Sequence, residues 1–503
     1  MMKNSGMPGQ RLFVILFLVN AGFLFAQASG STFVPRAHSE VKHSLLNQNS
    51  LSTPMHLQEE EDGLTHPFRG LSSFTEAFTD VFTSSSPRHD LFSYRHPKLQ
   101  ADMNIYAGYE ADFTDSRDYY FWYKGWKLEA VAWNSVFLRT DWYNGAFYGD
   151  LDAAQEDTLI DGYYKRFDKH IQLDNLSGEL AWQREDFRLA LGRGRFQIGN
   201  SISGSVILND KVNDYAYFLG EATLGDFRLS LLHGSLIADS TYSLHSNSQI
   251  DARHYPDKYL ALHQLSYFPI SSLELYLGES VIYGNRGIDL NYLLPNSFWR
   301  AVEHNLWDRD NVMIFAGGNF DIDPYTLLYA QFALDEFSYS KIFTNWWGNK
   351  YALQAGLRRK LPPGSITLEA TAVRPYTYAH FMNHTMYSHD GRPLGYPQGS
   401  NLLDISTELN IPLKPYLQLD SRLSWRQRGS EGNDWRDNYH DIFGGQIDSA
   451  EAQWFAGTKS TEYQIVSSIA IPIMAHLKFL FGHDSLKQTD WNHKLFAAWQ
   501  FIY

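Results

Sequence analysis

The sequence predicts an all-β protein: a transmembrane antiparallel β-barrel of about 18 strands, with short periplasmic turns and long extracellular loops. Three observations carry this. Apolar and polar residues alternate with a period of two through most of the chain after residue 98, short turn signals recur along it, and an export leader precedes it.

The leader is legible first. Lys3 and Arg11 precede the apolar run LFVILFLVNAGFLFA, Leu12 to Ala26, and Ala26-Gln27-Ala28 has the small-x-small form of a signal-peptidase site. Residues 1–28 therefore read as a signal peptide cleaved after Ala28. The run is shorter than the roughly 18 apolar residues a spanning helix needs, and Asn20 and Gly22 interrupt it. No later stretch is long and apolar enough to span as a helix. An exported chain of this kind enters a membrane only with strands.

Residues 29–98 are polar, with QEEED at Gln58 to Asp62 and SSSPR at Ser84 to Arg88, and carry one amphipathic piece, LSSFTEAFTDVF from Leu71 to Phe82. This segment reads as extended and periplasmic with one short helix. Residues 99–503 read as the barrel.

Within it, YLQLDSRLSWRQ places Leu417, Leu419, Leu423 and Trp425 on one face and Gln418, Asp420, Arg422, Ser424 and Arg426 on the other. SLELYLGE sets Leu273, Leu275 and Leu277 against Glu274, and SITLEATAV sets Ile366, Leu368, Ala370 and Ala372 against Thr367, Glu369 and Thr371. Lipid outside and water inside require that alternation. Proline cannot donate to a ladder, so Pro269, Pro324, Pro362 with Pro363, Pro412 with Pro415, and Pro472 mark strand ends. Short turns near Asn134, Asp186 and Asp226 look equivalent, giving eight. Eight turns pair strands 2 to 17, and the first and last strands bring the number to about 18. Both termini are then expected on the short-turn side. A propeller also repeats at about 40–50 residues, but no blade signature recurs: DFRLALG and DFRLSLL match once. The closing stretch HKLFAAWQFIY alternates Leu495, Ala497, Trp499, Phe501 and Tyr503, as a last lipid-facing strand would. It resembles the terminal strand signal that the barrel-assembly machinery of bacterial outer membranes reads.

Composition bounds the function. Aromatic residues are 16% of the chain, which suits rings at a membrane interface or stacked on sugars. With no cysteine, disulfides and thiolate metal sites are excluded. A net charge of −14 without a Lys/Arg cluster argues against nucleic acid. There is no G-x-S-x-G elbow, H-E-x-x-H or phosphate-cradling glycine loop. His380, His384 and His389 share one stretch, but Pro and Gly flank it, so a helical metal pair is not expected; DRDN and DID lack the pattern of a calcium loop. No enzyme activity, cofactor or metal is expected, although a barrel hydrolase using Ser/His or paired acids is compatible with the composition.

Two long connections stand out: Gly278 to Asn311, and Arg374 to Asn401. Both mix Tyr or Trp with Arg, Asn and Asp, the side chains that stack on and hydrogen-bond to a sugar ring; the rings suit an interfacial girdle equally well. These connections carry a resemblance through Glu279, Tyr292 to Phe298, Asp310-Asn311, Asp335-Glu336, Tyr376 to Tyr378 and YSHDGRPLGYPQGSN, Tyr387 to Asn401. The chain resembles the Wzi-like capsule-assembly proteins of bacterial outer membranes. The resemblance implies an 18-stranded barrel acting as a lectin that holds exported capsular or surface polysaccharide at the cell surface. Known members carry a substantial periplasmic helical bundle, whereas residues 29–98 offer one short helix. The expected ligand contacts are Trp307, Asp310, Asn311, His389, Arg392 and Tyr396. Polysaccharide, outer-membrane lipid and the assembly machinery are the expected partners, and a passive or sugar-selective porin is the alternative.

Overall fold

The computed structural model describes residues 91–502, apart from 115–116, 156, 158–159, 161–163, 239–240, 244–251, 255, 343, 415–416, 475–476 and 490, together with 34–35 and 68–70. The expected leader with its Ala28 cleavage and the expected helix at Leu71 to Phe82 lie outside the described residues.

Eighteen strands form one closed sheet. In order they are β1 (Leu99–Thr114), β2 (Tyr119–Ala132), β3 (Val136–Gly149), β4 (Ile171–Arg184), β5 (Phe187–Gly194), β6 (Tyr215–Leu224), β7 (Phe227–Ile237), β8 (Asp257–Ile270) and β9 (Leu273–Gly284). Then follow β10 (Asn311–Asp323), β11 (Thr326–Glu336), β12 (Lys350–Leu361), β13 (Gly364–Val373), β14 (Leu402–Lys414), β15 (Leu417–Gly429), β16 (Lys459–Met474), β17 (Leu477–Lys487) and β18 (Trp491–Ile502). Each runs antiparallel to the next, and β18 returns to β1 with Leu495 opposite Phe113. Closure leaves no edge with unpaired backbone groups, the requirement for strands in hydrocarbon.

The eight expected turns are the eight tight connections on one rim. At the first of these, Trp133 and Asn134 both adopt positive φ, as a type I′ turn demands. On the other rim the connections are long, except those after β1 and β17, which are short where long loops were expected. Phe92–His96 pairs with the start of β1 beyond the point where β18 ends, and 68–70 adds to it. Residues 34–35 pair with Phe196–Gln197.

Alternation sorts the side chains as the period predicts. Leu275, Leu277, Leu353, Leu368, Ile405, Leu423, Phe481, Leu495 and Trp499 are exposed on the outer wall, while Glu274, Gln354, Glu369, Asp404, Ser406 and Gln500 are buried on the inner wall. An exterior of that kind is stable in lipid and not in water. On the inner wall, rings from one strand cover glycines of the next. A Cβ at Gly317 would overlap the Tyr276 ring, and one at Gly125 would overlap the Tyr106 ring. Gly317→Val must displace Tyr276, whose hydroxyl accepts from Gln331 Nε2 at 3.1 Å. The expected loss of stability is about 1–3 kcal/mol, read as an earlier midpoint in denaturant titration of the detergent-folded barrel.

Candidate functional site

The lumen is filled from the extracellular rim by two inward-folded connections. The first, 195–214, joins β5 to β6, and its Phe196, Ile198, Val206, Ile207, Leu208 and Val212 are fully buried. Its polar backbone is satisfied by the far wall. Ile202 and Ser203 N–H groups each donate to the Glu369 carboxylate at 3.0 Å. Gln331 Nε2 donates to Ile198 O, and Gln354 Nε2 to Gly204 O. The second, 374–401, joins β13 to β14 and clasps the first: Tyr378 and Tyr387 hydroxyls donate to Val206 O and Ile207 O, and Asn209 Nδ2 donates to Pro393 O. A buried carboxylate holding two backbone N–H groups is a latch, because releasing it leaves three polar groups without partners.

The plug is asymmetric. Where it rests on the wall, Glu369, Gln331 and Gln354 are buried; along β14 to β17 Arg426, Asp404 and Glu462 are buried too, while Glu408, Asn410, Asp420, Arg422, Gln464 and Asp484 remain half-open. There Arg426 bridges Asp404 at 2.8 Å and Glu462 at 2.9 Å, and Arg422 binds Glu408. Asn410 donates to Asp420 and Gln464 to Asp484. Above this wall, the connection 430–458 bends over the second plug segment, with Ser400 N–H donating to Asn433 O and Arg428 Nη2 to Gln398 O. Trp435 packs half-buried on the luminal core. The Arg436 guanidinium lies 5.1 Å from its ring centre and pairs with Asp434. Burial alone would raise the Asp434 carboxyl, but its hydrogen bonds from Arg436 outweigh this and hold it below the usual range. An indole, a guanidinium and a carboxylate therefore share one mouth above the plug.

The connection 285–310 does the opposite: it folds over the outer wall. Glu279, Val281 and Tyr283 continue the face of exposed Leu275 and Leu277, yet all three are buried. The helix α1 (Trp299–Asn305) covers them. Glu279 accepts from the Trp299 and Arg300 N–H groups at 2.7 and 3.0 Å, capping the helix start, and Trp299 stacks on His263 at 3.9 Å. Arg286 forks onto Asp310, which also accepts from the Tyr292 hydroxyl.

Glu303 of this helix is buried, and burial pushes its carboxyl up to about 8 against the pull of Arg300, with the Asp308 and Asp310 charges adding to the rise. A raised folded value means that the docked segment is stabilised below about pH 4.3, the exposed-glutamate value, and loses that stabilisation as pH rises through about 8. Hydrogen exchange of residues 285–310, corrected for intrinsic rate, is expected to be faster at pH 9 than at pH 6, and Glu303→Gln is expected to remove the difference.

The expected contact residues do not converge. Trp307 and Asp310 belong to the outer segment, Trp307 exposed and Asp310 buried beneath it. Asn311 faces inward and donates to Thr385 O. His389 is buried in the plug, where its Nδ1 accepts from Ile237 N–H, and burial with the Lys258 charge pulls its imidazole down to about 3. Tyr396 is fully buried beside Asp404 and Arg426, whereas Arg392 is half-buried. The first plug segment and Trp435 went unnoticed in the sequence. The apolar cluster SVILND, Ser205 to Asp210, breaks the period-two pattern and was the available signal for the plug.

No family model matches the chain, and no curated protein matches it. Among solved structures, the carbohydrate-binding β-barrel Wzi, an outer-membrane protein involved in group 1 capsule assembly in Escherichia coli, is 12% identical with a TM-score of 0.49, over 80% of this chain and 84% of that one. OprD of Pseudomonas aeruginosa is 9% identical with a TM-score of 0.44, over 80% of this chain and 95% of that one. OccK3 (OpdO) of Pseudomonas aeruginosa is 12% identical with a TM-score of 0.46, over 80% and 95%. Closed topology, apolar exterior and polar interior make this chain an outer-membrane β-barrel of the bacterial type.

Proposed function

We propose that this barrel binds an exported surface polysaccharide at its extracellular mouth and helps to hold or assemble it on the cell, without catalysing a reaction. One observation carries the reading: above the plugged lumen Trp435, Arg436 and Asp434 lie together. A sugar ring offers C–H groups to an indole face and hydroxyls to planar amide, guanidinium and carboxylate partners. Lipid and the assembly machinery, acting on β18, are the other partners in this reading. Deleting the gene in the native host is the test. Polysaccharide shed into the medium at unchanged total amount supports the reading, and unchanged attachment counts against it.

A second reading is favoured by the half-open polar side chains along β14 to β17, Arg422, Glu408, Asn410, Asp420, Gln464 and Asp484, which suit a narrow solute path. Single-channel recording separates the two. A large, steady conductance supports the conduit, and a closed barrel supports the binding protein.

A further inference from the structure

We infer that the connection 285–310 is a membrane-seated wing: a piece of the barrel's outer surface that inserts its apolar side chains into the outer leaflet. The occupant is lipid, at the boundary between headgroups and acyl chains. The underside of the wing is spoken for, because Tyr292 and Trp299 are fully buried against Ala261, Val281, Tyr283 and Val312 of the outer wall. Five of its large apolar side chains are open: Ile288, Leu290, Leu294, Phe298 and Trp307 are all exposed, Leu290 at 73% and Trp307 at 91%, with Asn291 and Asn296 exposed between them. Five large apolar side chains on one connection would be costly in water, at about 25 cal/mol per Å² of apolar surface.

Continuity with the lipid face identifies the occupant. Leu275 and Leu277 lie on the same outer face of β9 as the buried Glu279, Val281 and Tyr283, so the wing begins where the exposed apolar band ends. The polar groups of the wing match an interfacial position. Arg286, Asp289 and Asp310 form a paired cluster at its root, and Asp308, just past the helix, lies near His304 and the guanidinium of Arg300 from the first turn. Trp307 has φ of +71° and Asp308 of +52°, a left-handed pair that turns the chain immediately after the helix. An indole beside charged groups at the edge of an apolar band is the arrangement that lipid interfaces favour. Trp307 is then a membrane anchor, and it is separated by the barrel wall from the luminal residues Asn311, His389 and Tyr396.

The absence of cysteine makes the test clean. Single variants Leu290→Cys and Phe298→Cys of the full chain, each with Glu431→Cys at the mouth as the reference, are labelled with a small environment-sensitive fluorophore and reconstituted in phospholipid vesicles. Labels at 290 and 298 are expected to emit at shorter wavelength and to be quenched several-fold more by lipid carrying a doxyl group at acyl carbon 5 than the label at 431. Aqueous iodide is expected to show the reverse order. Iodide quenching at 290 and 298 equal to that at 431, with indifference to doxyl lipid, would overturn the inference. Protection from both quenchers would overturn it in favour of a second copy of the chain on this face. The wing stands or falls independently of polysaccharide binding.

Discussion

Replacing Glu369 with alanine is expected to unlatch the plug and admit ions to the lumen. This carboxylate accepts from Ile202 N–H, Ser203 N–H and the Tyr329 hydroxyl, the last at 2.6 Å. Hydrogen bonds to a charged group contribute about 1.5–3 kcal/mol each, and two backbone N–H groups would be left buried without an acceptor. A loss of about 3–5 kcal/mol in docking is the expected scale, which lowers the docking equilibrium constant by about two to three and a half orders of magnitude. The eighteen-strand closure does not depend on the plug, because every barrel strand is hydrogen-bonded to both neighbours in the sheet. In planar bilayers the wild-type barrel is expected to conduct weakly, Glu369→Ala to flicker to larger openings, and a variant with 196–213 replaced by a short Gly/Ser linker to stay open. Equal conductance in wild type and linker variant would mean that the plug does not occlude the lumen.

The second large effect is at the mouth. Trp435→Ala removes the only ring of the 430–438 stretch, and covering an aromatic side chain is worth about 1.5–3 kcal/mol. Retention on the polysaccharide of the source organism is expected to weaken about 10- to 100-fold. Arg436→Ala should weaken it as well, because the guanidinium is lost and Asp434 loses the partner that orients it. Trp307→Ala, on the outer wing, is the matched control and should leave retention unchanged. Equal loss in Trp435→Ala and Trp307→Ala would move the ligand away from the mouth.

The comparison of Trp307 with Trp435 also shows where the sequence was legible and where it was not. Strand alternation is local: Leu275 and Leu277 face out and Glu274 faces in because a strand has a period of two, and Pro324 or Asp226 ends a ladder wherever it stands. The barrel and its strand number follow from such local rules once closure is assumed. The fate of a long connection is decided by what it docks on. Tyr292 and Trp299 were read as girdle or sugar-stacking rings and instead form the underside of the wing, while Tyr378, Tyr387 and Tyr396 form the inside of the plug. Glu279 carries a resemblance to a capsule-assembly family in the sequence, and in the fold it caps the wing helix. Residues that share a motif in the chain, such as Asp310 and Asn311, part company where the strand begins: Asp310, last of the outer connection, accepts from Tyr292, while Asn311, first of β10, turns inward to Thr385 O.

The most direct test is calorimetric titration of the purified, detergent-folded full-length barrel with the surface polysaccharide of its own source. Saturable binding, lost on competition with short fragments of the same polymer, is the expected result. Heat that never saturates, or no heat together with a large open conductance in the same preparation, would contradict the binding role and leave a solute conduit in its place.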